Sequence, residues 1–303
     1  MRILVAGWFS FELMGASAGD LLARDLVCRW LSEAGFDYDI ALAPPFRDGV
    51  KWDQADPGNY AAVVFVCGPF GNGPPVTEFL PRFAHLPLLG VNLTMLQELE
   101  VWNPFDLLLE RDSSATVRPD LVFLTHQPTV PVVGLILVHP QAEYRDRGRH
   151  QAVNQAIEHL IATRELAIVP IDTRLDENKV GLRTPGEVES LIARMDAVIT
   201  TRLHGMVMAL KNGVPPLVVD PIAGGAKILR QARAIGWETV FTAETLTDDN
   251  LRQGLDFCLS AEGSAAATAV YRRAVEKLGD VGMHFRQGLT DLVKTKQAHR
   301  KLM

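Results

Sequence analysis

The sequence predicts an α/β protein built from two Rossmann-like domains with parallel sheets. Three observations lead to this fold class. Short apolar runs rich in β-branched residues alternate with amphipathic stretches at helical spacing, which is the pattern of βα units. A segment with two prolines, THQPTVP at 125–131, separates two such series. The length of 303 residues also exceeds what one hydrophobic core normally serves.

The first series fills the predicted N-terminal domain, residues 1–127. Apolar runs predict strands over 2–6, 38–42, 62–67, 88–91, 107–110 and 121–124. Helices are predicted over 20–34 and 77–84. Asp20 is expected to cap the first helix after a turn at Gly19, and Gly35 to end it, because these residue types favour those positions.

The second series fills the predicted C-terminal domain, residues 128–303. Strands are predicted over 132–138, 166–171, 197–200, 216–219 and 238–241, and helices over 149–163, 185–194, 203–212, 226–235 and 247–259. A long last helix is predicted from about 263 onward, because apolar residues from Tyr271 to Leu292 recur every three or four positions, with Gly279 and Gly282 as positions where it can bend. Ligands of parallel sheets bind outside the carboxyl ends of the strands, so we expect a site there, in a cleft between the domains.

Composition excludes several classes of function. The net charge is −6, with 30 Lys and Arg against 36 Asp and Glu, which argues against a nucleic-acid-binding protein. Cys28, Cys67 and Cys258 are far apart and lack CxxC spacing, so they are expected to be reduced, packed thiols. The eight histidines form no HExxH pattern. We therefore expect no metal and no cofactor.

The N-terminal sequence MRILVAGWF has no signal-peptide pattern. The longest apolar run, at 132–138, is too short to span a bilayer. These features predict a cytoplasmic protein without stable membrane insertion. They leave the oligomeric state open.

The segment DAVITTRLHGMVMALKNGVPPLVVD, residues 196–220, places Arg202 and His204 between a strand and a helix. A helix N-terminus favours anions, and the arginine fork suits a phosphate or carboxylate. The imidazole can donate or accept a proton. A surface ion pair for Arg202 and a packed position for His204 explain these residues about equally well.

The next loop is PIAGGAK, in which Gly224 and Gly225 precede Lys227. Two glycines allow backbone N–H groups to approach an oxyanion, and the lysine adds positive charge. An ordinary flexible loop with a solvated lysine is the alternative. A glycine pair is a weak motif by itself, so both explanations stay open here.

Three further positions are candidates in the remaining loops. Arg111, followed by Asp112 and Ser114, either supports a ligand or forms an ion pair at a strand end while Ser114 caps the next turn. The glycine-containing loop ending at Gly19 and Asp20 is either an anion or sugar site or a packed loop carrying Trp8 and Phe9. His139 follows a strand end and is a weaker candidate.

Several of these segments together resemble the polysaccharide pyruvyl transferase family. TTRLHGMVMALKNGVPPLVVD resembles the family's Arg-Leu-His helix start followed by Gly-Val-Pro. LLLERDSSAT at 107–116, RPDLVFL at 118–124 and GGAK at 224–227 occur in the family's order. The family's N-terminal loop is shorter and has an asparagine before Gly-Asp, which this chain lacks.

The resemblance implies a glycosyltransferase-B-like fold and transfer of a pyruvyl group from phosphoenolpyruvate to two saccharide hydroxyls as a ketal. It implies that Arg202 binds the donor's anionic groups and that His204 is the general acid or base. Gly224, Gly225, Lys227, Arg111, Gly19 and Asp20 are the remaining predicted binding residues. The N-terminal domain is the predicted acceptor side and the C-terminal domain the donor side.

Two alternatives keep the same architecture. A nucleotide-sugar-dependent glycosyltransferase also needs an anion clamp, although no acidic residue is clearly placed to hold a ribose. A binding relative without turnover is the other alternative, because the N-terminal loop departs from the family pattern. In each case the expected partners are small molecules, a donor and a saccharide acceptor in the leading hypothesis.

Overall fold

The computed structural model describes residues 1–138 and 146–302, with side chains to residue 297. The chain divides into two compact units, Met1–Pro128 and Thr129–Met303. The predicted boundary lies one residue earlier. The assignment of acceptor and donor to these units, and the cleft between them, stay predictions.

The first unit contains a parallel five-stranded sheet in the order β2-β1-β3-β4-β5. Its strands are β1 Arg2–Gly7, β2 Asp37–Ile40, β3 Ala62–Phe70, β4 Leu88–Met95 and β5 Leu107–Leu109. Its helices are α1 Ala18–Glu33 and α2 Val76–Phe83.

Strand β1 shows why this sheet is covered on both faces. Leu4 packs into an apolar cluster with Phe79 of α2, whereas Val5 packs into another with Val27 of α1. Successive strand residues point to opposite faces, so a strand buried on both sides is a nearly continuous apolar run. This is the run that predicted β1.

Two predictions at the edges of the first unit are wrong. Helix α1 begins after Ser17, whose hydroxyl accepts the Asp20 N–H, so Asp20 is the third helical residue and Gly19 lies inside the helix. Residues Leu121–Leu124 form a short 3-10 helix capped by Asp120 rather than a strand. Gly35 ends α1 with a φ of +79°, as predicted.

The second unit contains a parallel five-stranded sheet in the order β10-β9-β8-β6-β7. Its strands are β6 Val132–Ile136, β7 Ala167–Pro170, β8 Ala197–Thr200, β9 Pro216–Asp220 and β10 Val240–Thr242. Its helices are α3 His150–Ala162, α4 Pro185–Ile192, α5 Leu203–Lys211, α6 Lys227–Ile235, α7 Asp248–Cys258, α8 Ala261–Lys277 and α9 Val281–Leu302.

The predicted long C-terminal helix is two helices. Helix α8 ends at Lys277, and the Gly279 N–H bonds to the Glu276 carbonyl before α9 begins at Val281. Glycine weakens a helix, so the break falls where the apolar periodicity continues but helix propensity does not. Periodicity alone therefore predicted one helix where two form.

Both sheets have the same strand order within their own unit. The first strand of each unit lies between the second and the third. The second strand is therefore added on one side of the first strand, and the later strands on the other side. At such a position a crevice opens outside the carboxyl ends of the two central strands. The predicted fold class, α/β with two Rossmann-like units and parallel sheets, is confirmed.

The three cysteines are buried free thiols. Burial raises the pKa of Cys28 to about 11 and that of Cys67 to about 12. Their predicted role as small packed groups is therefore confirmed.

A search for membrane-spanning helices over 1–138 and 146–302 finds none that is long and apolar enough.

Candidate active site

A cavity of about 110 Å³ opens at the carboxyl edge of the second sheet. It lies where β6 and β8 end, the position at which the strand order reverses. Its described lining consists of Val138, Thr201, Arg202, Leu203, His204 and Lys227. The structure therefore brings Arg202, His204 and Lys227 together, and their roles in binding and catalysis stay predictions.

Two threonines shape the turn between β8 and α5. The Thr200 hydroxyl donates to the Ile136 carbonyl at 3.0 Å and accepts the Arg202 N–H at 3.0 Å. The Thr201 hydroxyl accepts the Val138 N–H at 2.8 Å. These bonds tie the end of β8 to the end of β6 and hold Arg202 at the mouth of the helix.

Gly205 lets α5 approach the sheet. An ideal Cβ on this residue would lie 2.3 Å from Thr200 Oγ1 and 3.0 Å from Ile136 Cγ2. Any larger residue would push the first turn of α5 away from β8. The glycine in the Arg-Leu-His-Gly sequence therefore sets the position of its two neighbours.

Arg202 is the residue immediately before α5, with an extended backbone. Its Nη1 donates to Asp172 Oδ1 at 3.1 Å, and the two side chains are 19% and 11% exposed. Within the described part of the chain this is its one side-chain hydrogen bond. Guanidinium has five N–H donors, so this ion pair orients the group while leaving donors for a ligand.

Asp172 was missed by sequence reasoning. It follows β7 by two residues and also accepts the Arg174 N–H at 2.9 Å and the Lys179 N–H at 3.3 Å. An acidic residue just after a predicted strand was the available signal. Only the sheet order, which places β7 next to β6, brings it to Arg202.

His204 is the second residue of α5 and is exposed. The free N–H groups at a helix start carry a partial positive charge, so an anionic ligand is favoured beside it. An exposed imidazole facing this cavity is accessible to a reacting group. The packed alternative does not describe this position.

The loop between β9 and α6 is held by the buried carboxylate of Asp220. Its Oδ2 accepts the Ala226 N–H at 2.7 Å and the Leu229 N–H at 3.1 Å. The Gly225 N–H donates to the Ile222 carbonyl at 2.8 Å, and the Gly224 N–H to Glu244 Oε1 at 2.9 Å. The sequence predicted that these amides could approach an oxyanion, but they already have protein acceptors.

The Gly224 and Gly225 amides would therefore have to exchange partners before they could bind a ligand. The Glu244 carboxylate accepts the Gly224 N–H, and this hydrogen bond lowers the pKa of Glu244. Both glycines have a φ of +74°, which explains the glycine pair by backbone conformation. Their role in ligand binding stays a prediction.

The start of α3 packs against the same loop. Arg147 donates through Nη2 to the Ala223 carbonyl at 2.6 Å, and the Arg149 N–H donates to the Pro221 carbonyl at 2.7 Å. His150 is buried there, and its Nε2 has no hydrogen-bond partner in the described part of the chain. Burial lowers the pKa of His150, and the negative charge of Asp220 opposes this effect in part.

Arg111 lies in the first unit, in a polar network. It donates to Asp120 at 2.8 Å and to Asp112 at 3.3 Å, and it contacts Thr94. Burial would raise the pKa of Asp120, but hydrogen bonds from the Val122 N–H and from Arg111 hold it below its usual range. The ion-pair interpretation of Arg111 therefore describes its contacts.

The neighbouring turn is capped by a different serine from the one predicted. The Ser113 hydroxyl accepts the N–H groups of Ala115 and Thr116, whereas Ser114 accepts the Leu99 N–H. Ser113 stands at the start of this turn, and serine commonly caps at that position.

Gly19 and Asp20 also lie in the first unit, at the start of α1. The Asp20 carboxylate accepts the N–H and hydroxyl of Ser17 at 2.7 Å and 2.6 Å. This is a capping box, which satisfies free donors at the helix start. His139 lies outside the described residues.

A family model for polysaccharide pyruvyl transferase matches residues 105–221. The matched segment contains Arg111, Arg202 and His204. No curated protein matches the chain.

Similar solved structures include the spinosyn rhamnosyltransferase SpnG, at 11% identity and a TM-score of 0.35 over 90% of this chain and 96% of that one. They also include a UDP-GlcNAc 2-epimerase from Methanocaldococcus jannaschii, at 11% identity and a TM-score of 0.33 over 92% and 99%. At these TM-scores the likeness adds nothing to what the strand orders of this chain show.

The family match covers both ends of the Arg-Leu-His segment and the strand after it. It supports a transferase that acts in polysaccharide modification. Residues 105–221 thus match the polysaccharide pyruvyl transferase family, which confirms the resemblance found in the sequence.

Proposed function

We propose that this protein transfers the pyruvyl group of phosphoenolpyruvate to two hydroxyls of a saccharide, forming a ketal and releasing phosphate. One observation carries the proposal. Arg202, His204 and Lys227 line one cavity at the carboxyl edge of the second sheet. That combination suits a small, multiply charged anion that must also exchange a proton.

Phosphoenolpyruvate carries a carboxylate and a phosphate close together. The Arg202 fork matches either group with paired hydrogen bonds, and Lys227 adds a second cation at the start of α6. The starts of α5 and α6 both face this edge of the sheet and favour negative charge. The donor is therefore held by charge and by helix N-termini together.

The chemistry needs a proton at the methylene carbon of the donor. In the proposed reaction His204, as the protonated imidazole, gives this proton to C3, which becomes the methyl group. C2 becomes electron-poor, and a saccharide hydroxyl forms the first C–O bond to it. The proton of this hydroxyl passes to the His204 imidazole.

The second hydroxyl then forms the second C–O bond as the bond from C2 to the phosphate oxygen breaks. The proton of that hydroxyl leaves with phosphate, so the reaction consumes a diol and phosphoenolpyruvate and yields one ketal and one phosphate. No electrons are exchanged with another reagent. General acid–base help of this kind is worth about 10²–10⁴-fold in rate.

Thermal unfolding with phosphoenolpyruvate tests donor binding. Ligand at one hundred times its dissociation constant adds about 2.7 kcal/mol to the free energy of unfolding. Arg202→Ala should abolish this shift, whereas Arg183→Ala, an exposed arginine of the same unit, should keep it. Stabilisation by a uridine or guanosine diphosphate sugar alone would instead support the glycosyltransferase alternative and overturn the proposal.

Phosphate release across a panel of saccharides tests turnover. His204→Asn should lower the rate by about 10²–10⁴-fold with little change in donor binding. His159→Asn, an exposed histidine on α3, is the matched control. Donor binding without phosphate release on any acceptor would favour a binding relative without turnover.

A further inference from the structure

Helix α9, Val281–Leu302, is an exposed helix of the second unit. Every residue of α9 whose side chain the structure describes, 281–297, is exposed to solvent. Most of the stability of helices in proteins comes from packing an amphipathic face rather than from helix propensity. A helix that is exposed along its whole described length is therefore expected to meet another surface.

One side of α9 carries a row of apolar residues. The row consists of Val281, Phe285, Leu289 and Leu292, which recur at helical spacing and therefore lie on one face of the helix. Each of these four residues is more than half exposed. Contiguous apolar surface on a folded protein marks a site of interaction with another protein or with a membrane.

The end of α8 adds further apolar surface just before this row. Tyr271, Val275 and Leu278 are exposed and have the same helical spacing. Together with Leu210 and Ile235 they line a cavity of about 500 Å³. Apolar walls of this kind favour the removal of an apolar group, such as an acyl chain, from water.

The net charge of this part of the chain is opposite to that of the rest. Residues 271–303 contain eight Lys and Arg against three Asp and Glu, whereas residues 1–270 contain 22 against 33. On α9, Arg286 follows Phe285 of the apolar row, and Lys296 follows Leu292 by one helical turn. A basic amphipathic helix on an otherwise acidic protein is typical of a segment that binds an anionic surface.

A helix of a second copy fits this face less well than a lipid surface does. Lys296 extends the apolar row, so a helix–helix contact along the row would desolvate its ammonium group, which is costly. A seam with a seven-residue repeat through Leu278 and Phe285 would also contain Gly282, which has no side chain to pack. At a bilayer the lysine stem lies among the acyl chains while the ammonium group stays in water.

We propose that α9 and the end of α8 bind the surface of a membrane that contains anionic lipids, reversibly and without spanning it. The apolar row lies at the level of the upper acyl chains, and Arg286 and Lys296 donate hydrogen bonds to the lipid phosphates. The inference uses none of the residues of the proposed function, so either can fail without the other.

Co-sedimentation of the full chain with lipid vesicles tests this inference. One set of vesicles contains phosphatidylcholine alone, and the other contains equal amounts of phosphatidylcholine and phosphatidylglycerol. At low salt the protein should bind the anionic vesicles at least about tenfold more tightly than the neutral ones, because each nearby cation adds to the attraction. High salt should reduce this difference, since ions screen the charges.

Phe285→Ser tests the apolar row. It removes the largest side chain of the row and should weaken binding to anionic vesicles by at least about tenfold, because burial of a phenyl group in the bilayer is lost. Met283→Ser is the matched control, since Met283 is also exposed on α9 but lies on the opposite side of the helix. Both residues are exposed, so Tm without vesicles should be the same in the two variants and in wild type.

Two charge variants test the contribution of the lipid phosphates. Arg286→Gln and Lys296→Gln should each weaken binding to anionic vesicles by about fivefold and leave the weak binding to neutral vesicles unchanged. Lys179→Gln, which changes an exposed lysine of the same unit outside this segment, is the matched control and should bind as wild type.

Three outcomes of these measurements would overturn the inference: anionic vesicles do not bind the protein, neutral vesicles bind it equally well at low salt, or Met283→Ser weakens binding as much as Phe285→Ser. Sedimentation velocity without vesicles tests the second copy as the occupant of this face. A wild-type dimer that Phe285→Ser dissociates would show that a second copy covers the apolar row, and it would also overturn the inference. A monomer that binds anionic vesicles through Phe285 supports it.

Discussion

The two sheets share one strand order, yet their central crevices are filled differently. In the first unit the Trp8 indole lies over Gly68, and its Nε1 donates to the Pro69 carbonyl at 3.0 Å. In the second unit the corresponding position between β6 and β8 carries threonines and remains a cavity. The strand order decides where a site can form, and the residue after each strand decides whether it is open.

The open cavities also differ in charge. The cavity beside Arg202 is lined by cations. A cavity of about 280 Å³ in the first unit, lined in part by Glu12, Lys51, Trp52 and Asp53, has more carboxylates than cations. Two copies of one architecture can therefore carry cavities of different charge when their loops differ.

Backbone strain is concentrated in the first unit. Cys67 and Asn92 have φ values of +66° and +59° on adjacent strands. The buried Asn92 side chain donates to Asp120 at 3.0 Å and accepts the Leu121 N–H at 3.1 Å. Such strain persists only where surrounding contacts hold it, and here they continue through Asp120 to Arg111.

The largest expected effect comes from adding a side chain at Gly68, where Trp8 already fills the crevice of the first unit. In Gly68→Ala an ideal Cβ would lie 1.9 Å from Trp8 Cδ1, at a φ of +83°. We expect a loss of about 2–3 kcal/mol in the free energy of unfolding, measured by urea titration. Gly73→Ala, with open space around its Cβ, should change stability little; equal losses would contradict the close contact at Trp8.

A smaller effect is expected from removing the ion pair that orients Arg202. Asp172→Asn removes the negative partner of Arg202, so the guanidinium loses its orientation. We expect kcat/KM for phosphoenolpyruvate to fall about tenfold, mainly through KM, since misplacement of a clamp can cost up to about 10²-fold. Asp176→Asn, an exposed carboxylate paired with Arg174, is the control. A change confined to kcat would argue against a positioning role.

The smallest expected effect is a dependence of stability on pH that arises from His150 in the second unit. The pKa of His150 lies below its usual 6.5 because the residue is buried. Below about pH 6.5 the unfolded chain therefore binds a proton that the folded chain does not, and stability falls as pH falls toward the folded-state pKa. His150→Phe should reduce the fall in Tm across this window, whereas the exposed His159→Phe should not.

The carboxylate of Asp120 in the first unit acts at lower pH. Because the pKa of Asp120 is held below 3.8, its contribution to stability is present above that pH and is lost as pH falls through the lower folded value. A fall in Tm between pH 6.5 and 5 that persists in His150→Phe would show that another group is responsible.

Most of the fold was predictable because parallel strands buried on both faces are continuous apolar runs. The strand at 197–200 matches Ala197–Thr200, and most other elements differ by a few residues at their ends. Local rules failed where a nearby residue offered a better cap. Ser17 rather than Asp20 caps α1, and Gly279 lies at the break between α8 and α9.

The candidate site was predictable only in part. Arg202 and His204 are marked by one local segment, since a strand end and a helix start determine their position together. Asp172 and Trp52 carry no such mark. They reach their cavities through contacts far along the chain, whereas Asp220 lies just before the glycine loop that it holds.

Local sequence, then, was enough to place a guanidinium and an imidazole at a helix mouth, because that geometry depends on neighbouring residues alone. Which groups face them, and which crevice stays open, depended on the order of the strands and the packing of side chains distant in the chain. Those are long-range properties, because hydrophobic burial and ion pairing act between surfaces that meet only once the sheets have formed.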